Sequence, residues 1–137
     1  IIINLKSRTE KEMMHNFKEL KIWQKARTLA SGLYLLSKDL PASERFGYLS
    51  QLQRAAISIP SNIAEGAGRN SDKEFCRFLD IAIGSSCEVE SLLLIGVDLT
   101  YFTEDQISEH LNELNELQRM ISGFKQKLTK GKEDGRC

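Results

Sequence analysis

Proline occurs only twice in this chain of 137 residues, and aromatic residues make up 7% of it. An all-β sandwich needs many turns and strand-favouring side chains, so this scarcity argues against one. Cysteine is also scarce: Cys76, Cys87 and Cys137 are an odd number and give no closed disulfide framework. No segment approaches the ~20 apolar residues of a membrane-spanning helix. The opening "IIINLKS" is too short to serve as the apolar core of a secretory signal. A net charge is missing as well, with 19 Lys+Arg against 19 Asp+Glu. That balance weakens long-range attraction to a polyanion. The expected setting is a reducing cytoplasm, with no membrane association.

What is present fits one ordinary folded domain, 41% hydrophobic and 28% charged. A chain of this length buries roughly two-thirds of its unfolded surface, enough for a core without metal or disulfide support. Its charges are unevenly spread. Residues 1–69 hold 11 Lys/Arg against 6 Asp/Glu, and residues 70–137 hold 8 against 13. Halves of opposite sign suit a nucleic-acid partner for the basic half, or attraction between the halves within or between subunits.

Apolar residues recur at three- and four-residue steps in four stretches, the signature of one buried helix face. From Phe17 to about Lys38 the face reads Leu20, Trp23, Ala26, Ala30, Leu33 and then Leu36 or Tyr34. Asn16 and Glu19 have the spacing of a capping box, and Pro41 ends the pattern. The second stretch begins near Ser43 and runs through Phe46, Leu49, Leu52, Ala56, Ile59 and Ile63 to "GAGRN". There Gly66 and Gly68 are expected to provide the left-handed residue of a helix C-terminus. Ser71 and Glu74 open the third stretch, which carries Phe75, Phe78, Leu79, Ala82, Ile83, Val89, Leu93 and Val97. Thr103 and Gln106 open the fourth, with Ile107, Leu111, Leu114, Leu117 or Gln118, Ile121, Phe124 and Leu128 at near-heptad spacing. The expected fold is all-α, an antiparallel up-down-up-down four-helix bundle over residues 16–128. Residues 1–15 are expected to be a disordered or non-native arm, with Met13 or Met14 as the native start, and 129–137 a flexible tail.

Catalytic machinery is hard to find. A di-metal bundle takes a Glu-x-x-His from each of two helices. Glu12 and His15 have that spacing, but the residue three before His110 is Ile107. Cys76 and Cys87 fall on one helix face about 16 Å apart, too far to bond or share a metal, and both read as buried free thiols. Neither a Gly-x-Gly-x-x-Gly nor a Walker loop occurs, and no histidine is spaced to activate Ser85 or Ser86. The expectation is a protein that is not an enzyme and takes no cofactor or metal.

Two polar stripes remain. Lys18, Lys21 and Lys25 share one face of the first helix, and with Arg27 and Arg69 they are the candidate nucleic-acid contacts. Arg54, Ser58, Asn62 and Glu65 line one face of the second helix, opposite Arg77, Gly84, Ser85 and Glu88 of the third. They read as a structural or interface polar network in which Arg54 pairs with Glu88, or Arg77 with Glu65. Within that second helix Pro60 removes one backbone donor, so a kink is expected about a turn before the helix ends.

"FKELKIWQKA" (17–26), "QLQRAAISIPSNIAEGAGR" (51–69) and "FCRFLDIAIGSSCEVES" (75–91) resemble the 23S rRNA intervening-sequence protein family. "SIPSNIAEG" is the most specific part of the match, and the resemblance spans about residues 16–128. It is similar in fold to the accessory variability determinant of diversity-generating retroelements, a pentameric bundle that binds nucleic acid and a reverse transcriptase. The resemblance implies a left-handed antiparallel bundle and a homopentamer, and it supplies no catalytic residues. The leading expectation is a homo-oligomeric, pentameric bundle acting as a scaffold or binding module, with a protein partner. The alternative is an RNA- or DNA-binding accessory protein associated with 23S rRNA intervening sequences or a reverse transcriptase.

Overall fold

The computed structural model describes residues 15–130. The expected N-terminal arm lies outside these residues except for His15, and the expected tail except for Thr129 and Lys130. All regular structure among the described residues is helical: α1 (Lys21–Ser37), α2 (Tyr48–Ala67), α3 (Asp72–Asp98) and α4 (Glu104–Thr129). Short 3-10 turns at Phe17–Glu19 and Ala42–Glu44 precede α1 and α2.

Each helix packs against two others, in the cycle α1–α2–α3–α4–α1, and no packing links α1 with α3 or α2 with α4. The molecule is therefore a four-helix square in which the α1–α2 side lies opposite the α3–α4 side. Contacts along the pairs run in opposite senses. Lys25 and Gly32 of α1 meet Glu116 and His110 of α4. The start of α2 meets the end of α3 through Tyr48 and Leu92, and the end of α2 meets the start of α3 through Gly66 and Phe75.

The periodic apolar residues fill the centre. Leu29 and Leu33, Leu52 and Ile59 and Ile63, Phe75 and Leu79 and Leu93, and Leu114, Leu117 and Ile121 are fully buried. Burial of each such side chain contributes about 1.5–3 kcal/mol relative to leaving it in water.

Helix ends show where local chemistry departs from pattern. Asn16 caps only the 3-10 turn, accepting from the Lys18 amide at 3.2 Å, and α1 starts after the extended Leu20. Thr103 and Gln106 form the full reciprocal capping box, and Ser71 accepts from the Glu74 amide. The left-handed glycine expected at the end of α2 does not occur. Gly66 is still helical and Gly68 is right-handed, its amide reaching the carbonyls of Ala64 and Glu65. Gly66 is instead a close-approach residue: a Cβ there would lie 2.7 Å from the Cβ of Phe78 and 2.8 Å from a Phe75 ring carbon. Among the described residues the left-handed position is Thr100, φ 61°, just past α3. Around it the amides of Thr100 and Tyr101 bond the carbonyls of Val97 and Gly96 at 2.9 Å, the Schellman pattern.

Phe46 corrects another expectation. Assigned to the core face of the second helix, it is 90% exposed. Residues 42–47 turn instead of coiling into α2, and Gly47 breaks the register with φ −118° and ψ −115°, so helical spacing does not govern Phe46. The cysteine expectation fails too. Cys76 is fully buried but disulfide-bonded, and Cys87 is free but exposed.

Candidate interaction surfaces

The expected basic row is carried by the 3-10 turn and the first two turns of α1. Lys18 and Lys21 are exposed and have no acidic partner among the described residues. Lys25 is half-buried and tied to Glu116 of α4 at 3.2 Å, so its charge is already answered. Arg27 lies over the Trp23 ring, 5.4 Å from its centroid, and Arg69 lies 4.9 Å from that of Phe78. Stacking of this kind fixes the guanidinium plane and leaves its edge N–H groups open to an acceptor. Arg69 follows α2, and it sits at the same end of the bundle as the start of α1.

Of the second stripe, the structure brings together the small polar residues and not the charged ones. The hydroxyls of Ser58 and Ser85 lie 2.8 Å apart, and the Asn62 amide donates to the Ser58 carbonyl at 2.7 Å and its hydroxyl at 2.9 Å. This part-buried trio joins α2 to α3. Arg54, Glu65, Arg77 and Glu88 are all exposed, and neither Arg54–Glu88 nor Arg77–Glu65 forms an ion pair. At full exposure a long charged side chain gains too little from pairing to be held in one geometry. The ion pairs that do cross the bundle involve other residues, Lys125 with Asp80 and Lys25 with Glu116. Ser86 is buried, its hydroxyl donating to the Ile83 carbonyl at 2.6 Å.

The periodicity did not flag two apolar outer faces. On the α1–α2 side, a groove of about 550 Å³ is lined by Tyr34, Phe46 and Ile57 together with Arg45 and Arg54. Arg45 lies 5.6 Å from the Phe46 ring centroid. On the opposite α3–α4 side, a groove of about 470 Å³ is lined by Leu94, Val97, Ile107 and Leu111 with Asp98 and Glu104 at its rim. Leu94, Ile95 and Leu99 stand exposed beside it. The two grooves also differ in charge. No Lys or Arg lies between Arg77 and Arg119, a span that includes Asp98, Glu104, Asp105, Glu109 and Glu113. The only sequence signal for the first groove was the Pro41 break, after which an apolar residue need not face inward.

Among the described residues, no three His, Cys, Asp or Glu side chains are placed to hold a metal ion, and no helix is long and apolar enough to cross a membrane. His15 packs on the Phe75 and Phe124 rings at 5.1 and 6.1 Å between centroids, with Asp72 at 3.7 Å. His110 turns its Nδ1 into the α1–α4 contact, where it finds no hydrogen-bond partner. Gly32 lies beside that ring, where a Cβ would stand 3.4 Å away in ordinary van der Waals contact.

A model of one protein family, described as 23S rRNA-intervening sequence protein, matches residues 18–123. The chain belongs to the 23S rRNA-intervening sequence protein family. The matched span covers all of α1, α2 and α3 and most of α4, so the membership rests on the whole bundle. In this family member the lysine row, the serine–asparagine trio and both outer grooves fall inside the matched residues. A search of curated proteins finds no match to the chain.

Proposed function

We propose that this protein is a non-enzymatic, cytoplasmic, homo-oligomeric bundle, a ring of five copies, that acts as a scaffold or binding module for a protein partner. The observation that carries the reading is the pair of outer apolar faces. A single bundle gains nothing by leaving Phe46 90% exposed and Leu94 50% exposed in water. Faces of this kind are ordinarily covered by another chain, and most soluble oligomers are built from identical copies. Opposite-sign charge on the two halves of the sequence suits contacts between copies. The number five rests on the resemblance to the ring-forming accessory determinant. Native mass spectrometry of the full chain tests the reading: five subunits per particle is the expected result, and a monomer at micromolar concentration contradicts it.

A second reading is favoured by Lys18 and Lys21, exposed and without an acidic partner among the described residues at and just before the start of α1, near the stacked Arg69. In it the protein is an RNA- or DNA-binding accessory factor associated with 23S rRNA intervening sequences or a reverse transcriptase. A ring would multiply a weak basic row fivefold, which offsets the neutral net charge through avidity. Replacing Lys18, Lys21 and Lys25 with Glu abolishes retardation of a structured RNA at low salt under this reading. Unchanged retardation excludes the row.

A further inference from the structure

We infer that one copy of this chain binds the next head to tail, the Arg45–Phe46 corner of one subunit seating in the α3–α4 groove of its neighbour. The inference rests on the homo-oligomer reading above and specifies its contact. Three observations lead to it. The first is position: the two grooves occupy opposite sides of the four-helix square, and both sit toward the end of the bundle where α3 passes into α4 and α1 into α2. A subunit with different complementary patches on opposite sides makes heterologous contacts, which generate rings or filaments instead of two-fold dimers.

The second is shape and polarity. Phe46 is a projecting aromatic on a turn, while Leu94, Val97, Ile107 and Leu111 floor a concave site of about 470 Å³. An aromatic anchor filling an apolar pocket is the usual centre of a binding interface.

The third is charge. Arg45 and Arg54 line the same groove as Phe46 and form no ion pair with an acidic side chain among the described residues. Asp98 and Glu104 at the mouth of the opposite groove likewise form no ion pair among the described residues. Two copies of the same face would oppose like charges, whereas opposite faces join unlike ones, so the arrangement selects against a symmetric dimer.

The test uses two full-length variants, each altered at one exposed position: Phe46→Glu, which disables the knob, and Leu94→Glu, which disables the groove. Circular dichroism checks that each is folded, and light scattering after size-exclusion chromatography gives the masses. The inference predicts that each variant alone is monomeric. An equimolar mixture then forms a particle of two subunits, because an intact groove on one meets an intact knob on the other and nothing remains to extend the chain. If either glutamate variant fails the folding check, Phe46→Ser or Leu94→Ser takes its place in the same assay. A wild-type oligomer whose mass survives either substitution, or a mixture that stays monomeric, overturns the head-to-tail contact and leaves the homo-oligomer reading standing. A monomeric wild type overturns both.

Discussion

The side-chain oxygens of Ser58 and Ser85 lie 2.8 Å apart, a direct hydrogen bond between α2 and α3 in the middle of their contact. Asn62, one turn beyond Ser58, donates to the same hydroxyl and to the Ser58 carbonyl. A part-buried hydrogen bond contributes about 1 kcal/mol net. Ser58→Ala and Ser85→Ala are each expected to lower stability by about that amount. Because they remove the same bond, the double variant should lose less than the sum, which a urea-denaturation double-mutant cycle measures.

Glycine substitutions should have opposite signs at two helical positions. Glycine inside a helix is normally about 1 kcal/mol worse than alanine. At Gly123 a Cβ meets nothing within 4 Å, so Gly123→Ala is expected to stabilise by about 0.5–1 kcal/mol. At Gly66 the same methyl collides with the Cβ of Phe78 at 2.7 Å. That contact cannot be relieved by swinging a flexible end, so α2 and α3 must move apart. Gly66→Ala should destabilise by about 1–3 kcal/mol, read as a lower thermal midpoint.

Thr100 holds the left-handed conformation with a β-branched side chain, which costs roughly 1–2 kcal/mol relative to a residue free of that strain. Thr100→Gly keeps the amide bonds to Val97 and Gly96 and removes the strain. Stability should rise, by less than the full strain because glycine also loosens the unfolded chain. A higher urea midpoint with unchanged slope is the expected signature.

Much of the fold was legible in the sequence because a bundle core is written at helical spacing. Ala26, Leu52, Ile59, Phe75, Leu79 and Leu114 are where the periodicity put them. The misreadings have separate causes. Periodicity assumes a continuing helix, so it sent Phe46 inward across a turn that interrupts the register. Composition alone assigned Gly66 and Gly68 a conformation, whereas the Phe75 ring and the Phe78 Cβ make Gly66 necessary for space. Charges on exposed helix faces likewise carried no pairing information: Arg54 and Glu88 are suitably spaced in sequence and stay apart in the structure. The outer grooves depend on which helix faces lie opposite each other, and no local pattern states that.

Tyr48 ties the start of α2 to the end of α3, donating its hydroxyl to the Leu92 carbonyl beneath Tyr101. Burial, and then the charge of ionised Tyr101, push its pKa up from 10.0 to about 12. The folded state therefore keeps a proton that the unfolded state releases, and stability falls as pH rises from about 10 towards 12. Below pH 10 this contribution is fully present. Tyr48→Phe should be less stable than wild type at neutral pH by about 1 kcal/mol, and its stability should decline less steeply over that alkaline range, as followed by far-ultraviolet circular dichroism.

The central claim is that the exposed apolar faces are covered by further copies of the same chain. Size-exclusion chromatography with light scattering, reading absorbance at 260 and 280 nm across the peak, tests it most directly. A single species of five subunits with a protein-like absorbance ratio is the expected result. A monodisperse monomer would contradict the claim, and an oligomer rich in 260 nm absorbance would favour nucleic-acid binding by the basic row at Lys18 and Lys21.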